Sequence, residues 1–517
     1  MAASTATNTV IMIAATLLSK ILGFARELTL AYVYGANAVS DAYIVAFSLP
    51  TIIFSGVGTA ILTAYISLYI QLQKNKPSRL QAFSDYVTSS IFLLSLLVVG
   101  IFTLLRRPIV RLFAVGFEEE TFSIAVYLSQ VMMLSLLFIS VYYILQGYLQ
   151  IHGNFLAVGL TNVPTNLFVV AAILLSSVLG YRLLGWGVVA GYAVSFVMLL
   201  IAARRRGYRY TPRLDLKDRY LRRLWVMVLP MFLGKSITQL NIMIDRTIAS
   251  TLPEGAISAL NYGNRITGFV TSVFVVSLTT ALFPQLSRLS AAQSMKRLKT
   301  TFSTSVGIMS LLVIPISAGL MIFSREIVQL LFEHGAFTAQ DTERTAQVVF
   351  FYAIGLIFFS IKEVAINVFY ALQDTKTPTI NSLIAMGLNL VLNLILVRKF
   401  AHSGLALATS ISGAVTLVFL LWSLRKKIGH LGMRGMVKSL LKMTLSAVGM
   451  AFAVIPVYDM LFLKTESLTV SFVIAVLVGA VVYFVLNILL RTKEMGQLII
   501  GIVQRLAPRS GAGKRQG

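Results

Sequence analysis

Ionisable residues inside long apolar stretches are the side chains of this 517-residue chain best placed to do chemistry. A charged group at a lipid-exposed helix centre costs about 2.5–3.5 kcal/mol, so each should face a wet or paired interior. Asp41 and Asp85 stand near the ends of their stretches, where a helix cap or a surface carboxylate is the alternative. The set comprises six bases and five acids: Lys20, Arg26, Glu27, Asp41, Asp85, Lys235, Asp245, Arg246, Arg265, Lys362 and Glu363.

This set predicts a central cavity with surplus positive charge. Such a cavity suits an anion, and the forked guanidinium groups of arginine suit phosphate oxygens in particular. Structural ion pairing, for example between the neighbours Arg26 and Glu27, is the alternative.

A second group of polar side chains predicts a cation site. Asn389 and Asn393 are spaced i,i+4 in an apolar helix, and together with Asp245 and Thr409 they offer oxygen ligands of the kind that Na⁺ accepts. Hydrogen bonding between helices, which asparagines commonly provide in membranes, is the alternative. No cofactor is expected, and Na⁺ is the candidate coupling ion.

The composition is that of a membrane protein. Hydrophobic residues make up 57% of the chain and charged residues only 12%, whereas soluble proteins carry about 25% charged residues. Cysteine is absent and there are four histidines, so thiolate and histidine metal centres are not expected. No GxxxxGK[ST] phosphate loop occurs. These features exclude a soluble enzyme and ATP as the direct fuel, and they favour a transporter over an enzyme.

Hydropathy and turn residues predict an all-α polytopic membrane protein. Each apolar stretch is long enough to cross about 30 Å of hydrocarbon. Fourteen transmembrane helices are expected at 8–33, 41–70, 84–105, 121–149, 155–180, 184–203, 224–250, 261–287, 303–324, 345–371, 378–397, 403–424, 436–458 and 468–490.

The charges between these helices predict the orientation. Loops on the side of the termini hold 29 Lys/Arg against 4 Asp/Glu, whereas the opposite loops hold 9 against 10. Basic residues near span ends stay in the cytoplasm, so both termini are expected there. The net charge of +25 is thus a topology signal that also attracts membrane lipids. It does not indicate nucleic-acid binding.

Self-comparison predicts an internal repeat. At a shift of 219 residues Arg26 aligns with Asp245, and at 227 Asn166 aligns with Asn393. Each repeat holds six spans, an even number, so the two lobes are parallel and related by an axis along the membrane normal, which is a transporter architecture. The predicted domains are an N-lobe (1–205), a basic linker (206–223), a C-lobe (224–427), two additional C-terminal helices (428–490) and a basic tail (491–517).

The basic connection between the lobes has two interpretations. It runs through Arg204, Arg205, Arg206, Arg209, Arg213, Lys217, Arg219, Arg222 and Arg223. A solvated anchor that faces lipid is the favoured interpretation, and a docking site for a partner enzyme is the alternative.

Several motifs resemble one transporter family. The opening SKILGFARELTLAYVYGANAVSDAYIVAFSLP is similar to the span 1–2 signature of the MurJ (MviN) lipid II flippases, members of the MOP superfamily. NYGNRITGFV, LFPQLSRL, LFEHGAFTAQDTERTA and FYALQDTKTPT resemble later signatures of the same family. The resemblance implies export of the undecaprenyl-diphosphate-linked peptidoglycan precursor from the inner to the outer leaflet of the bacterial cytoplasmic membrane, by alternating access, for cell wall synthesis.

The resemblance also implies residue roles. Arg26 and Arg265 match the family's cavity arginines, expected to hold the diphosphate. Lys20 matches a position usually Arg, Glu27 one usually Asp, and Asp41 the acid at the start of span 2. Asp245 and the polar residues of spans 11 and 12, namely Asn389, Asn393 and Thr409, fall where some members bind sodium, although an acid is expected in place of Asn393.

One position departs from the family. An arginine often follows the span 2 proline, but here Phe54 and Ser55 stand after Pro50. We expect Lys235 and Lys362 to supply the missing positive charge.

Other functions compete with this one. The first is a flippase for another undecaprenyl-diphosphate-linked polysaccharide unit, and the second is a cation-coupled multidrug exporter. A membrane-embedded glycan polymerase or ligase would need an essential loop carboxylate or histidine. A scaffold for cell-wall synthesis enzymes would tolerate loss of Arg265, and such enzymes are also candidate partners of a flippase.

Overall fold

The computed structural model describes residues 2–498, and these fold into helices with no strand among them. Within this part of the chain, ten helices are long and apolar enough to cross a membrane, or eleven if a bent pair of helices counts as one more. This confirms the all-α polytopic fold class. The chain divides into two compact units, one formed by 1–262 and 331–344 and the other by 263–330 and 345–517.

The first unit contains ten whole helices. They are α1 (Ala2–Tyr34), α2 (Ala38–Asn75), α3 (Leu80–Leu104), α4 (Arg106–Phe113), α5 (Glu119–Met133), α6 (Leu136–Ile151), α7 (Phe155–Gly159), α8 (Asn162–Leu179), α9 (Arg182–Arg204) and α10 (Arg219–Ala249). Polar caps fix where several of them begin. Asn37, for example, accepts hydrogen bonds from the Val39 and Ser40 amides at the start of α2, and Asp218 accepts two amides at the start of α10.

Three helices are shared by the two units, and five lie wholly in the second. The shared helices are α11 (Ala256–Val270), α14 (Ser324–Phe332) and α15 (Ala339–Ala371). The second unit holds α12 (Ser277–Ala291), α13 (Met295–Ile322), α16 (Lys376–Ile428), α17 (Met433–Thr465) and α18 (Leu468–Leu489). A π-helical stretch, Thr271–Val276, joins α11 to α12.

Helix α16 is a helical hairpin rather than one rod. Ala401 leaves the helical region with φ 47° and ψ −131°. Asn389 donates to Thr409 over 3.2 Å, and Ser412 donates to the carbonyl of Ala385 over 2.9 Å. From the first bond to the second, the residue number falls in the first segment, from 389 to 385, and rises in the second, from 409 to 412. The two segments therefore pack antiparallel. The predicted helices 378–397 and 403–424 correspond to these segments.

The first unit contains a comparable hairpin of α8 and α9. Thr165 hydrogen-bonds to Ser195 over 2.8 Å and to the carbonyl of Gly191 over 3.3 Å. A Cβ on Gly191 would lie 2.9 Å from Thr165 Cα, so glycine permits this approach. The hairpins hold the asparagines that the sequence repeat aligns, Asn166 in α8 and Asn393 in α16.

An apolar groove lies within the second unit. It has a volume of about 360 Å³ and is lined by residues of α13, α14, α17 and α18, among them Pro315, Phe323, Val454, Phe472 and Gly479. Gly479 narrows the separation of α17 and α18, since a Cβ there would lie 2.8 Å from Val454. Gly479 therefore permits the close packing of these two helices, both of which line the groove.

Candidate functional site

Arg26 lies at the centre of a buried ionic network in the first unit. Its guanidinium Nη2 is 2.6 Å from Glu27 Oε1, and both side chains are buried. Both residues belong to α1, where the sequence predicted charges inside the membrane. Mutual neutralisation offsets the cost of holding them away from water.

Helices α8 and α2 hold the other sides of the guanidinium. Arg26 Nη1 donates to Asn166 Oδ1 over 3.4 Å, and the same amide donates to the carbonyl of Ser19 over 3.2 Å. The Arg26 guanidinium carbon lies 4.5 Å from the ring centroid of Phe47. Its Nε is buried with no hydrogen-bond partner among the described residues. The guanidinium is thus oriented on three sides, and its Nε–H has no acceptor among the described residues.

A residue of α11 binds the second carboxylate oxygen of Glu27. Asn261 Nδ2 donates to Glu27 Oε2 over 2.8 Å. One carboxylate oxygen therefore faces the guanidinium and the other faces an amide. This arrangement fixes a guanidinium for an anion to approach, with Glu27 as the anion already present.

Asp41 forms a separate buried site that caps α11. Its Oδ2 accepts the Gly255 amide over 2.8 Å, and its Oδ1 accepts the Ser258 amide over 2.7 Å and the Ser258 hydroxyl over 2.5 Å. A carboxylate at a helix N-terminus satisfies amides that the helix itself leaves unpaired. The geometry gives Asp41 a positioning role for α11, while its predicted role in substrate binding stays a prediction.

The other predicted substrate residues are dispersed over both units. Lys20 is exposed on α1. Lys235 lies in α10, but its side chain is outside the described residues. In the second unit, Arg265 is exposed on α11, and the half-buried Lys362 ammonium lies 5.2 Å from the Phe359 ring in α15.

The predicted sodium ligands of the second unit form a hydrogen-bonded chain. Asn393 donates to Asn389 Oδ1 over 3.0 Å, and Asn389 donates to Thr409 Oγ1 over 3.2 Å. The chain joins the two arms of the α16 hairpin, which is the alternative interpretation given above. Asp245, the fourth predicted ligand, belongs to α10 of the first unit and is half-buried.

Phe54 and Ser55 are the two positions that depart from the family pattern, and the structure describes the side chain of Phe54 alone. Phe54 is 2% exposed and therefore belongs to the core of the first unit. The side chain of Ser55 is outside the described residues. Where the family pattern has an arginine, this chain thus has a buried aromatic ring.

Sequence reasoning missed three residues that hold the charged pair. Asn166 was identified only as a repeat partner, and Asn261 and Phe47 were not singled out. A search for ionisable groups overlooks neutral side chains that bind them. The available signal was position, because Asn261 stands four residues before Arg265 in the NYGNR motif.

Comparisons with known proteins identify the family of the chain. A family model described as "Lipid II flippase MurJ" matches residues 30–479. A "Probable lipid II flippase MurJ" of Thermotoga maritima is 28% identical over 489 residues, covering 94% of this chain and 96% of the relative. One of Rhizobium meliloti with the same name is 30% identical over 434 residues, covering 81% of this chain and 80% of the relative.

Solved structures with the same fold include two kinds of transporter. The structure titled "Lipid II flippase MurJ, inward closed conformation" has a TM-score of 0.80 at 25% identity, covering 93% of this chain and 99% of that one. An inward-facing multidrug resistance MATE family transporter of the MOP superfamily has a TM-score of 0.65 at 15% identity, covering 82% of this chain and 99% of that one. The second likeness concerns the fold alone.

Proposed function

Because the chain belongs to the lipid II flippase MurJ family, we propose that it carries lipid II across the bacterial cytoplasmic membrane for peptidoglycan synthesis. The transported lipid passes from the inner to the outer leaflet by alternating access. The protein acts as a transporter, with no chemical change to the substrate. The buried Arg26 network is the observation that carries the proposal, since it presents a guanidinium suited to a diphosphate.

The diphosphate of the substrate competes with Glu27 for Arg26. Arg26 is oriented by Asn166 and Phe47 and retains an unused Nε donor. A diphosphate oxygen satisfies that donor and takes over the charge-assisted bonds that Glu27 makes in this structure. Asn261 retains the displaced carboxylate. Binding and release of the substrate thereby exchange one anion for another, so the guanidinium keeps an anionic partner throughout.

Other cations supplement Arg26 in this proposal. Arg265 acts as the second arginine of the family pattern, and Lys20 is a further cation on α1. Lys235 and Lys362 replace the charge that Phe54 does not supply. The buried arginine favours an anionic lipid over the organic cations that a multidrug exporter would carry.

The apolar groove of the second unit offers a surface for the polyprenyl chain. A lipid tail gains no affinity from polar contacts, and the groove walls between Pro315 and Phe472 are apolar. Contacts of this kind are individually weak and add up along a long chain. The head group and the tail are therefore assigned to different surfaces.

The predicted topology completes the proposal. Counting α5–α6, α7–α8 and α11–α12 as single spans, and the α16 hairpin as two, gives fourteen spans when α1 and α10 are included. Both termini lie in the cytoplasm, in agreement with the distribution of basic loops. Six spans form each of two parallel lobes, and α17 and α18 are the additional C-terminal pair.

Transport is driven by the membrane potential or by a cation gradient. An unpaired charge in a wet cavity experiences about 2.3 kcal/mol per 100 mV. For sodium, the support is the oxygen set of Asn389, Asn393 and Thr409. Addition of Na⁺ but not K⁺ should raise the Tm of the purified protein, and Asn393→Ala should remove that difference.

The test of function is rescue of cells depleted of their own lipid II flippase, with lipid II measured in the outer leaflet. The parent protein restores the outer-leaflet lipid II. Arg26→Ala abolishes rescue, and Arg26→Lys restores little because an ammonium lacks the fork. Asn261→Ala lowers transport about tenfold, in line with a hydrogen bond to a charged group. Arg434→Ala, which removes an exposed arginine at the start of α17, is the matched control.

Two results would contradict this proposal. Full rescue by Arg26→Ala would remove Arg26 from substrate binding. Failure of a well-expressed parent would shift the substrate to another undecaprenyl-diphosphate-linked glycan.

A further inference from the structure

The connection between α9 and α10 is fixed to the first unit although most of it is not helical. We name residues 204–223 the basic strap. Asp85 of α3, which is 1% exposed, accepts the Thr211 amide over 3.2 Å and the Thr211 hydroxyl over 2.5 Å. The Tyr208 hydroxyl lies 3.0 Å from Thr88, one turn further along α3. A buried carboxylate therefore holds the middle of the strap.

Further contacts hold both ends of the strap. The Tyr148 hydroxyl of α6 donates to the carbonyl of Arg206 over 3.0 Å, and Arg206 donates to the carbonyl of His152 over 3.1 Å. At the other end, Asp218 caps α10 and lies 3.8 Å from Arg79. The strap is thus a built surface with a defined position on the protein.

The contacts on α3 place the strap at the depth of lipid head groups. Phe92, Leu93, Leu96 and Leu97 of α3 are exposed apolar residues and mark the part that faces hydrocarbon. Asp85 precedes Phe92 by seven residues, or about 10 Å of helix. The polar head-group region flanks a hydrocarbon core of about 30 Å. This spacing puts the part of the strap bound to Asp85 about 10 Å beyond the exposed apolar part of α3, which corresponds to the depth of the head groups.

The exposed side chains of the strap combine positive charge with apolar groups. Its nine Lys/Arg residues are all exposed, against two acids. Between them, Tyr210, Leu214 and Leu216 are 43%, 42% and 71% exposed. Of the acids, Asp218 is engaged in capping α10. Basic residues interleaved with exposed leucines are the composition of segments that lie in the membrane interface.

We propose that the basic strap is a binding surface for anionic phospholipid head groups, such as phosphatidylglycerol. Arg213 and Lys217 bind lipid phosphates, and Leu214 and Leu216 enter the acyl boundary beside them. This surface is separate from the Arg26 network and serves the surrounding lipid rather than the transported one. Asp85 is a positioning residue, because it acts only by holding Thr211.

The test uses the full-length protein in nanodiscs of phosphatidylcholine with increasing phosphatidylglycerol, and it reads the Tm as a function of lipid composition. The parent is stabilised by phosphatidylglycerol, and added salt weakens the effect. The triple charge variant is Arg213→Gln/Lys217→Gln/Arg219→Gln. It needs about tenfold more phosphatidylglycerol for half of the rise in Tm, because each base near an anionic surface contributes to the attraction between protein and lipid. The control variant removes three exposed bases elsewhere and changes the required amount of phosphatidylglycerol little; it is Arg297→Gln/Arg434→Gln/Lys438→Gln.

A second variant tests insertion without altering charge. Leu214→Ser/Leu216→Ser keeps every base and also weakens the response to phosphatidylglycerol. Circular dichroism and size-exclusion profiles verify that both variants are folded. A parent with the same Tm in both lipids would overturn the proposal and leave the strap to a protein partner. A charge variant that responds as the parent does would overturn it too.

Discussion

At the scale of single residues, polar side chains in this protein are distinguished by whether their bonding capacity is filled. Asp41 has both carboxylate oxygens occupied by the start of α11. Arg26 retains a buried Nε without a partner among the described residues. A polar group whose hydrogen bonds are all made within the protein holds structure in place, whereas a buried donor without an acceptor is available to a ligand. In the sequence both residues are ionisable groups in an apolar stretch, and only their contacts in the structure distinguish their roles.

Removing the Asp41 carboxylate should therefore weaken the fold before it affects the substrate. Asp41→Ala leaves the buried Gly255 and Ser258 amides without an acceptor, at about 1–3 kcal/mol for each unsatisfied group. We expect a clear fall in the Tm of the purified protein. Asp459→Ala, which removes an exposed acid, should leave the Tm unchanged. An unaltered Tm in Asp41→Ala would contradict the capping role.

At the scale of helices, the sequence predicted the elements well and their irregularities poorly. Each predicted stretch lies mostly in helical residues, because long apolar runs favour helix. The count of fourteen transmembrane helices stays a prediction beside the ten or eleven apolar spans of the described residues. The break between α5 and α6 and the π-helical stretch 271–276 were not predicted. Both are features of backbone geometry, which the hydropathy of the side chains does not register.

The α16 hairpin depends on a glycine next to its turn. A Cβ on Gly404 would lie 2.5 Å from the carbonyl oxygen of Leu396. Gly404→Ala should cost about 1–3 kcal/mol through overpacking, although alanine is the better helix former. Gly435→Ala is the control, since its Cβ meets no atom within 4 Å. Equal thermal stability of the two variants would show that the hairpin can open without cost.

The loop between α15 and α16 is closed by an ion pair. Lys427 Nζ lies 2.5 Å from Asp374 Oδ2, and Thr377 donates to both carboxylate oxygens. Burial opposes ionisation of Asp374, but the bonds from Lys427 and Thr377 outweigh it and lower its pKa from 3.8 to about 2. The pair thus ties the loop to the C-terminal end of α16.

This shift sets a window of acid sensitivity. Because the folded pKa lies below the unfolded one, the contribution of Asp374 is complete above about pH 4 and is lost as the pH falls toward 2. Asp374→Asn should lower the Tm at pH 7 and flatten its decline between pH 4 and pH 2. Parallel Tm curves for parent and variant across that window would contradict the assignment.

At the scale of the whole molecule, the absence of cysteine allows a direct test of topology. Lys438 and Lys464 are exposed near opposite ends of α17. A single cysteine at Lys438 should react with an impermeant thiol reagent only after the cells are opened. One at Lys464 should react in intact cells. The reverse pattern would invert the predicted orientation, and labelling of both in intact cells would mean that α17 does not span the membrane.

The limits of sequence reasoning at this scale follow from what charge and hydropathy encode. They encode depth in the membrane and side of the membrane. The apolar helices that they predict are present in the structure, and the orientation that they predict stays a prediction. They do not encode which loop residues are held against which helix. The connection 206–223 was expected to be a linker, and its contacts with Asp85 and Tyr148 appear only in the structure.

Those contacts govern how proteases encounter the chain. The strap offers trypsin nine basic residues, the densest set of cleavage sites in the protein. A protease, however, needs a segment that leaves its partners and enters the active site in an extended form. Between the anchors Thr211 and Asp218 only residues 212–217 have that freedom. Seven of the nine basic residues are therefore protected by position rather than by sequence, and Arg213 and Lys217 are the two that stay within reach of the protease. This protection depends on the carboxylate of Asp85, which holds Thr211.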